Sequence, residues 1–491
     1  MRFAANFFSM FEQIKRLGTD TAIYGISTIV ARLLNFILLP LYANILSPSE
    51  FGIQANIYAY IAFFILFYGY GMESAYFRFA SSKELGSEKD NFSTPYISIL
   101  IVSAILSIVL FLFAVPLTSL FMIDVSMYQL IYYASGILFF DAIALVPFAS
   151  LRLQRKAKYF ASIKVLNIGF TIVLNIILVY KFRWGIEGIF ISNLAASLLS
   201  FLMLLPTTIR QFEFSFHKSL FKELLKFGLP ILPVGISGIL LQLVDRPILL
   251  YLMNEASVGI YQANFRLGIF MALVTGMFEF AWRPFFLSHA KDPNAKALFS
   301  RVMTYYLAIS AVVFLVISLF VDDVIKFKFH GHYILRPEYW DGLAIVPLVL
   351  ISYIFSGIGT NLNAGIQIEK KTKYLFPTSF SGSLTKIILT FILVPKFGIM
   401  GAAYATIFGY MMVEITLYFV VQKFYYIEYE FARIGKLVLT VAIAFIVAKV
   451  FFDSVLIKFI ILFTWFFSLF LIDFFTSGEL MRLKNLFVKT S

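Results

Sequence analysis

The chain contains no cysteine, so the sequence offers neither a disulfide framework nor a thiolate metal site. Charged residues are also scarce: they make up 14% of the 491 residues, whereas soluble domains average about 25%. No Walker motif is present, which argues against ATP-driven transport by this chain. These absences together exclude an ordinary soluble domain and direct attention to the hydrophobic residues.

Hydrophobic residues form 60% of the chain, and the mean hydropathy is +0.88. Runs such as 100–115 and 437–452 are continuously apolar rather than alternating, which favours helices over barrel strands. The sequence therefore predicts an all-α integral membrane protein with about 14 transmembrane helices. The predicted spans, numbered 1 to 14, cover 21–42, 52–73, 94–121, 128–150, 160–180, 187–206, 227–250, 258–280, 302–321, 343–366, 374–394, 399–421, 435–452 and 455–475.

The net charge of +13 is distributed unevenly over the loops. Loops 43–51, 122–127 and 251–257 carry no lysine or arginine, whereas the alternate loops and both chain ends are rich in them. The positive-inside rule then predicts that both termini are cytoplasmic, in the cell inner membrane. Residues 1–20 are expected to be an amphipathic cytoplasmic lead-in, not a removable signal peptide. The positive charge is explained by topology, so no nucleic-acid partner is expected.

Short matches recur at an offset of about 210 residues. Gly25-Ile26-Ser27 matches Gly235-Ile236-Ser237, and Gln54-Ala55-Asn56 matches Gln262-Ala263-Asn264. Six spans separate the matches, so the two repeats have the same orientation, and a site between them is expected. The predicted units are an N-terminal six-helix lobe at 1–206, a C-terminal six-helix lobe at 207–422, and a terminal helix pair at 423–491.

The stretch 229–268 contains Asp245-Arg246 in span 7, and Gly259-Ile260-Tyr261 and Arg266 in span 8. It resembles the helix 7–8 region of Wzx-type polysaccharide flippases, in the multidrug/oligosaccharidyl-lipid/polysaccharide exporter superfamily. Further similar pieces are 71–75, 78–79, 369–372 and 393–403. The resemblance implies two parallel six-helix lobes around a V-shaped cavity that opens alternately to either side. It also implies a cargo of undecaprenyl-diphosphate-linked oligosaccharide, as in O-antigen, lipopolysaccharide or capsule biosynthesis.

We single out four of the cationic side chains that fall inside predicted spans: Arg32, Arg246, Arg266 and Lys386. A charge at the bilayer centre costs about 2.5–3.5 kcal/mol on insertion scales, so each of these side chains is expected either to have a partner or to serve a function. Guanidinium groups bind phosphate bidentately and stay charged in any environment, so we expect these residues to bind the diphosphate in the cavity. The alternatives are that Arg246 is a buried strut paired with Asp245, and that Lys386 snorkels to the membrane surface.

Acidic and amide side chains inside the spans are the candidates for the cavity wall or for proton or sodium coupling. The competing interpretation is that they neutralise nearby arginines or lie at wetted helix ends. For Asp141 the two interpretations are balanced, because the sequence shows no local cation. The candidates are Asn35, Glu73, Asp141, Asp245, Glu279 and, outside this primary set, Glu414.

Three other functions compete with the polysaccharide flippase. A multidrug extruder of the same superfamily should have an acidic or apolar cavity, and a lipid II flippase would share the diphosphate-binding groups.

A membrane enzyme acting on the same lipid should carry its catalytic groups on a large extracytoplasmic loop. Loop 322–342 is modest, and His330 and His332 with Asp322 and Asp323 fix no third metal ligand. We therefore expect no enzyme activity, no metal and no resident cofactor. The expected partners are the lipid-linked sugar, the bilayer and the polysaccharide polymerase machinery.

Overall fold

The computed structural model describes residues 33–479 apart from 35, 83, 330, 452, 453 and 477. Within this part of the chain, twelve helices are long and apolar enough to cross a membrane, and two shorter apolar helices accompany them. They confirm the predicted all-α membrane fold and are compatible with fourteen spans. In chain order the helices are Phe36–Ile45, Pro48–Ser82, Glu88–Leu112, Val125–Leu153, Ala157–Lys181, Gly185–Gln211, Lys218–Leu243, Glu255–His289, Ala295–Lys326, Pro337–Ile368, Thr372–Phe397, Ile399–Gln422, Phe431–Phe451 and Val455–Leu471. We number these helices as spans 1 to 14.

Predicted spans 3 and 7 are not continuous. Span 3 ends at Leu112, and a separate helix, Ala114–Phe121, follows it. Span 7 begins at Lys218, nine residues before its predicted start, and breaks at the 3-10 turn Leu229–Ile231. Pro230 and Pro233 explain the second break, because proline lacks the amide hydrogen that an α-helix requires. After Leu243, a further helix, Asp245–Leu252, completes span 7.

The predicted loop 322–342 is largely structured. Span 9 continues to Lys326, and two antiparallel strands, Lys328–Phe329 and His332–Tyr333, form a short hairpin with Phe329 opposite His332. Within the described residues no group of three metal-binding side chains occurs. Asp322 and Asp323, considered above as metal ligands, instead form ion pairs with Lys449 and with Lys458.

The predicted repeat has matching contacts in both halves. The side-chain nitrogen of Asn56 donates to the carbonyl of Phe121 at 2.7 Å, and that of Asn264 donates to the carbonyl of Tyr339 at 2.8 Å. Phe121 precedes span 4, and Tyr339 lies at the start of span 10, so the acceptors are at corresponding places six spans apart. The lobe boundaries remain a prediction, but these bonds agree with them.

Spans 2 and 8 cross in direct backbone contact. A Cβ on Gly52 would lie 1.8 Å from the carbonyl oxygen of Glu255, and one on Gly259 would lie 1.9 Å from that of Pro48. Only glycine permits this approach. Beside the crossing, the carbonyl of Leu46 accepts hydrogen bonds from Arg336 and from the hydroxyl of Tyr339. We call these contacts, with the bond from Asn44 to the carbonyl of Tyr333, the interlobe seam. It lies on the predicted extracytoplasmic side.

Candidate functional site: a cavity between the two predicted lobes

A cavity of about 440 Å³ lies next to the interlobe seam. This volume is within the range of about 300–1,000 Å³ that is typical of small-molecule sites. Both predicted lobes contribute to the wall, as the parallel repeat predicts. The lining residues are Phe36, Leu38, Tyr42, Gln54, Tyr58, Thr171 and Asn193 from spans 1, 2, 5 and 6, and Arg246, Gln262, Phe265, Arg266, Ile269 and Tyr353 from spans 7, 8 and 10.

Arg246 is held in place from several sides. It is 2% exposed, its Nε donates to Oε1 of Gln262 at 3.1 Å, and its Nη1 donates to the carbonyl of Gln242 and to Asp245. The ring of Phe265 lies 4.6 Å from the guanidinium carbon. Arg246 is thus both a strut and a wall residue, so the two interpretations offered by the sequence are compatible.

Arg266 is the less constrained of the two arginines. Its side chain is partly exposed, and it has no hydrogen-bond or carboxylate partner among the described residues. Its guanidinium carbon lies 5.0 Å from the ring of Phe51 and 5.9 Å from that of Tyr42. Both rings belong to the N-terminal lobe, so Arg266 contacts the opposite lobe through aromatic faces. Its hydrogen-bond donors are consequently available to a ligand in the cavity.

The N-terminal wall offers a matching acceptor. Gln54 is 4% exposed, and its Oε1 has no hydrogen-bond partner among the described residues. Gln262, its partner in the repeat, uses the same atom to accept from Arg246. The repeat aligns Arg246 with Phe36, which also lines the cavity. A buried amide oxygen without a partner is costly, so Gln54 is a second polar group that a bound ligand could satisfy.

Asp245 and Lys386 lie behind the cavity wall. Both side chains are 0% exposed, and Lys386 Nζ lies 3.0 Å from Oδ2 of Asp245 and 2.8 Å from the carbonyl of Leu241. The hydroxyl of Tyr261 donates to the same carboxylate at 2.6 Å. Lys386 therefore neither snorkels nor lines the cavity. The buried cluster holds two cations and one carboxylate, so it leaves a net positive charge beside the cavity.

The remaining acidic candidates do not meet at the cavity. Glu73 pairs with Arg152. Asp141 is accessible, with Ser197 nearby, and it lies within electrostatic range of Lys164. No local cation for Asp141 was evident from the sequence, because Lys164 lies on the following span and not on the same helix. Glu279 is exposed, with no ion pair among the described residues.

Arg32 and Asn35 lie outside the described residues, so their expected places in the cavity stay predictions. The sequence missed Gln54, Tyr58 and Asn193 as wall residues. One signal for Gln54 was available, because the Gln-Ala-Asn repeat marks both lobes at the same depth. The tyrosines could not be separated from the many others, since aromatic residues make up 18% of the chain.

Comparisons with known proteins identify a family and two relatives of this chain. The sequence model of the family described as polysaccharide biosynthesis protein matches residues 17–288, more than half of the chain. The uncharacterized membrane protein MJ1068 of Methanocaldococcus jannaschii is 22% identical over 427 residues, covering 79% of this chain and 81% of that protein. Lsg locus putative protein 1 of Haemophilus influenzae is 23% identical over 361 residues, covering 68% and 84%.

Solved structures show the same fold. The lipid II flippase MurJ in an inward closed conformation matches with a TM-score of 0.75 at 19% identity, covering 92% of this chain and 98% of that one. An inward-facing MATE family multidrug transporter of the MOP superfamily matches with a TM-score of 0.63 at 18% identity, covering 84% and 96%. These structural relatives are transporters and flippases, not enzymes. The chain therefore belongs to the polysaccharide biosynthesis protein family, and it is a multi-pass membrane protein with the fold of the MOP superfamily.

Proposed function

We propose that this protein is a flippase that moves undecaprenyl-diphosphate-linked oligosaccharide units across the cell inner membrane by alternating access, for surface polysaccharide biosynthesis. The observation that supports this most directly is the positive charge of the cavity wall. Its described wall carries two guanidinium groups, Arg246 and Arg266, and no carboxylate. A diphosphate is a dense anion with many acceptor oxygens, which guanidinium groups recognise well.

In the proposed cycle the diphosphate enters from the cytoplasmic side and binds Arg266, with Arg246 behind it. Arg32, which falls in predicted span 1 of the N-terminal lobe, is proposed to complete the cationic wall. The first sugar occupies the cavity, and the polyprenyl tail stays in the lipid at the gap between the lobes. Rocking of the lobes then breaks the interlobe seam and exposes the head group to the other side, where the polymerase machinery would receive it. No covalent step is involved.

The rival functions make different demands on the cavity. A multidrug extruder takes cationic compounds, and two arginines would repel them. A lipid II flippase would use the same diphosphate contacts, so the sugar must separate these two. The MurJ likeness at 19% identity concerns the fold, and it does not choose between the cargos.

The test is flipping of a fluorescent polyprenyl-diphosphate oligosaccharide in proteoliposomes. We expect wild-type protein to transfer label to the protected leaflet, and Arg266→Ala to lose most of this activity while inserting normally. Arg266→Lys should retain part of it, because the charge remains but bidentate binding does not. Arg283→Ala is the matched control, since it removes an exposed guanidinium of the same span outside the cavity.

Two results would contradict the proposal. Normal flipping by Arg266→Ala would show that the cavity does not bind the diphosphate through this residue. Absence of flipping, together with efflux of cationic dyes, would assign the protein to the multidrug branch. Unlabelled lipid II serves as a competitor in the same assay, and stronger competition by lipid II than by the oligosaccharide lipid would change the proposed cargo.

A further inference from the structure

Glu414 is a buried carboxyl of span 12 that the proposed cavity does not use. Its side chain is 7% exposed, and its Oε2 has no hydrogen-bond partner in the described part of the chain. It rests against Gly359 of span 10, where a Cβ would lie 2.4 Å from both carboxyl oxygens. The missing side chain at position 359 therefore makes the room that the carboxyl occupies.

The surroundings of Glu414 provide no positive charge. The titratable groups that face it are the phenols Tyr306 of span 9, Tyr410 and Tyr418 of span 12, and Tyr429 just before span 13. Phenols are neutral near pH 7. None of them can compensate an ionised carboxylate as a cation would.

Lys386 and Arg433, which lie on elements near span 12, are bound to other carboxylates. Lys386 of span 11 is bound to Asp245. At the membrane edge, Arg433 is bound to Glu430 and to Glu479. An ionised carboxylate without a cation is costly in a dry interior, and a carboxyl in this position takes up a proton instead.

A second cavity, of about 320 Å³, adjoins Glu414. Tyr429, Phe431 and Ile434 are part of its wall, and they lie at the predicted cytoplasmic ends of spans 12 and 13. The wall is otherwise apolar, so the cavity favours the neutral carboxyl while it is dry. Water entering from this end would make the ionised form accessible.

Two tyrosines link Glu414 to the central cavity. The hydroxyl of Tyr306 lies 3.1 Å from Oγ1 of Thr275 and 3.4 Å from the carbonyl of Tyr353, and Tyr353 lines the central cavity. Tyr410 is within electrostatic range of both Glu414 and Arg246. A change of charge at Glu414 would therefore act on Tyr306 and Tyr410, which reach the surroundings of the central cavity.

We propose that Glu414 is a proton-binding site that couples the C-terminal lobe to the central cavity. The carboxyl holds its proton while the adjoining cavity is dry, and it releases the proton to water when movement of the lobe opens that cavity. In each cycle one proton is taken up from the extracytoplasmic side while the central cavity is open there, and it leaves to the cytoplasm through the second cavity, so one proton moves inward for each lipid head group that moves outward. The coupling rests on the proposed flippase function, whereas the binding of the proton does not.

Carbodiimide labelling tests the proton site without any transport. Dicyclohexylcarbodiimide adds to protonated carboxyls in apolar surroundings, and peptide mass spectrometry locates the adduct. In full-length protein in liposomes at pH 7 we expect an adduct on Glu414 and none on the ion-paired Asp245. Gly359→Ala should reduce the Glu414 adduct several-fold, because the added methyl group displaces the carboxyl. Gly435→Ala is the matched control, since a Cβ there meets nothing within 4 Å.

Flipping under an imposed pH gradient tests the coupling, with the same fluorescent polyprenyl-diphosphate oligosaccharide. In wild type we expect the ratio of label between the two leaflets to change by up to about tenfold per pH unit, the limit for one proton per lipid. Glu414→Gln keeps the shape but cannot ionise, and we expect it to lose the response. Glu369→Gln, which alters an exposed carboxyl just after span 10, should keep it.

The outcomes separate the proposals. No adduct on Glu414 in folded protein would overturn the proton site, and a normal gradient response in Glu414→Gln would overturn the coupling. An adduct on Glu414 in a protein that flips no lipid would leave the proton site standing and remove the proposed function. An adduct together with loss of the gradient response only in Glu414→Gln would support both parts.

Discussion

At the scale of single residues, the structure gives each intramembrane charge a different task. Arg266 faces the cavity, Arg246 connects the cavity to the buried cluster, and Lys386 with Asp245 forms that cluster. The cost of a charge in a membrane was sufficient to select these residues from the sequence. It could not assign their tasks, because Lys386 and Asp245 pair across 141 residues, a contact that no local pattern reveals.

The buried cluster makes a prediction about stability. Lys386→Met leaves Asp245 paired with Arg246, whereas Asp245→Asn leaves two buried cations without a carboxylate. Breaking a buried pair typically costs about 3–5 kcal/mol. We expect Asp245→Asn to lower the thermal unfolding midpoint in detergent more than Lys386→Met does, and the double variant to recover part of the loss. Equal midpoints for the two single variants would show that packing rather than charge dominates this cluster.

At the scale of helices, the sequence predicted which helices occur, but it did not predict where they break or cross. The long apolar runs predicted all of the spans that the structure describes. The break of span 7 is explained by Pro230 and Pro233, and the end of span 3 at Leu112 by Pro116, which has no amide hydrogen to donate to the carbonyl of Leu112. The crossing at Gly52 and Gly259 could not be anticipated, because glycine also occurs at turns and at exposed positions.

The terminal helix pair is attached to span 9 at both ends. On one side Asp322 and Asp323 pair with Lys449 and Lys458. On the other side Thr304 of span 9 donates to Glu430 at 2.6 Å, and Arg301 and Tyr305 of span 9 contact Glu479. We infer that spans 13 and 14 move with the C-terminal lobe and not independently of it.

The hydrogen bonds and the ion pair of Glu479 predict that attachment of the segment around it depends on pH. Burial opposes its charge, but hydrogen bonds from Tyr305 and Thr476 and the charge of Arg433 outweigh this and lower the pKa of Glu479 from 4.5 to about 2. An acid with a lowered pKa stabilises the fold above its ordinary pKa, and this stabilisation is lost as the pH falls through the lowered value. We therefore expect attachment of this segment to be constant down to about pH 4.5 and to weaken between there and pH 2.

Hydrogen exchange of the segment around Glu479 measures this attachment. In wild type, protection should be steady at neutral pH and fall over the acidic range. In Glu479→Gln it should be reduced already at pH 7 and vary less on acidification. Glu428→Gln, a variant in a carboxylate with no ion pair in the described structure, is the control. A wild-type profile in Glu479→Gln would mean that apolar packing alone holds this segment.

At the scale of the whole molecule, the sequence anticipated two repeats with a site between them, and the cavity lies between the predicted lobes. The sequence did not predict the contacts that join the two lobes, because they lie between residues about 290 apart. Asn44 donates to the carbonyl of Tyr333 at 2.9 Å, and Arg336 donates to that of Leu46 at 2.7 Å. These contacts join the two predicted lobes on the predicted extracytoplasmic side.

If the head group leaves through this side, the interlobe seam must open in every cycle. The chain has no cysteine, so a pair of introduced thiols can be cross-linked without background. We expect Asn44→Cys with Tyr333→Cys, joined by a short bifunctional methanethiosulfonate, to lose flipping and to regain it after reduction. The cross-link leaves the cavity and its arginines intact, so binding of the lipid should persist while transfer stops.

The matched pair is Asp322→Cys with Lys449→Cys, which joins spans 9 and 13 within the unit that is inferred to move together. The same reagent should leave flipping by this pair near that of its reduced form, because no relative motion is required there. Loss of flipping in both pairs would mean that the terminal helices also move. Retained flipping in the cross-linked seam pair would mean that the head group leaves without separation of Asn44 from Tyr333, and an exit on this side would then need a different opening between the lobes.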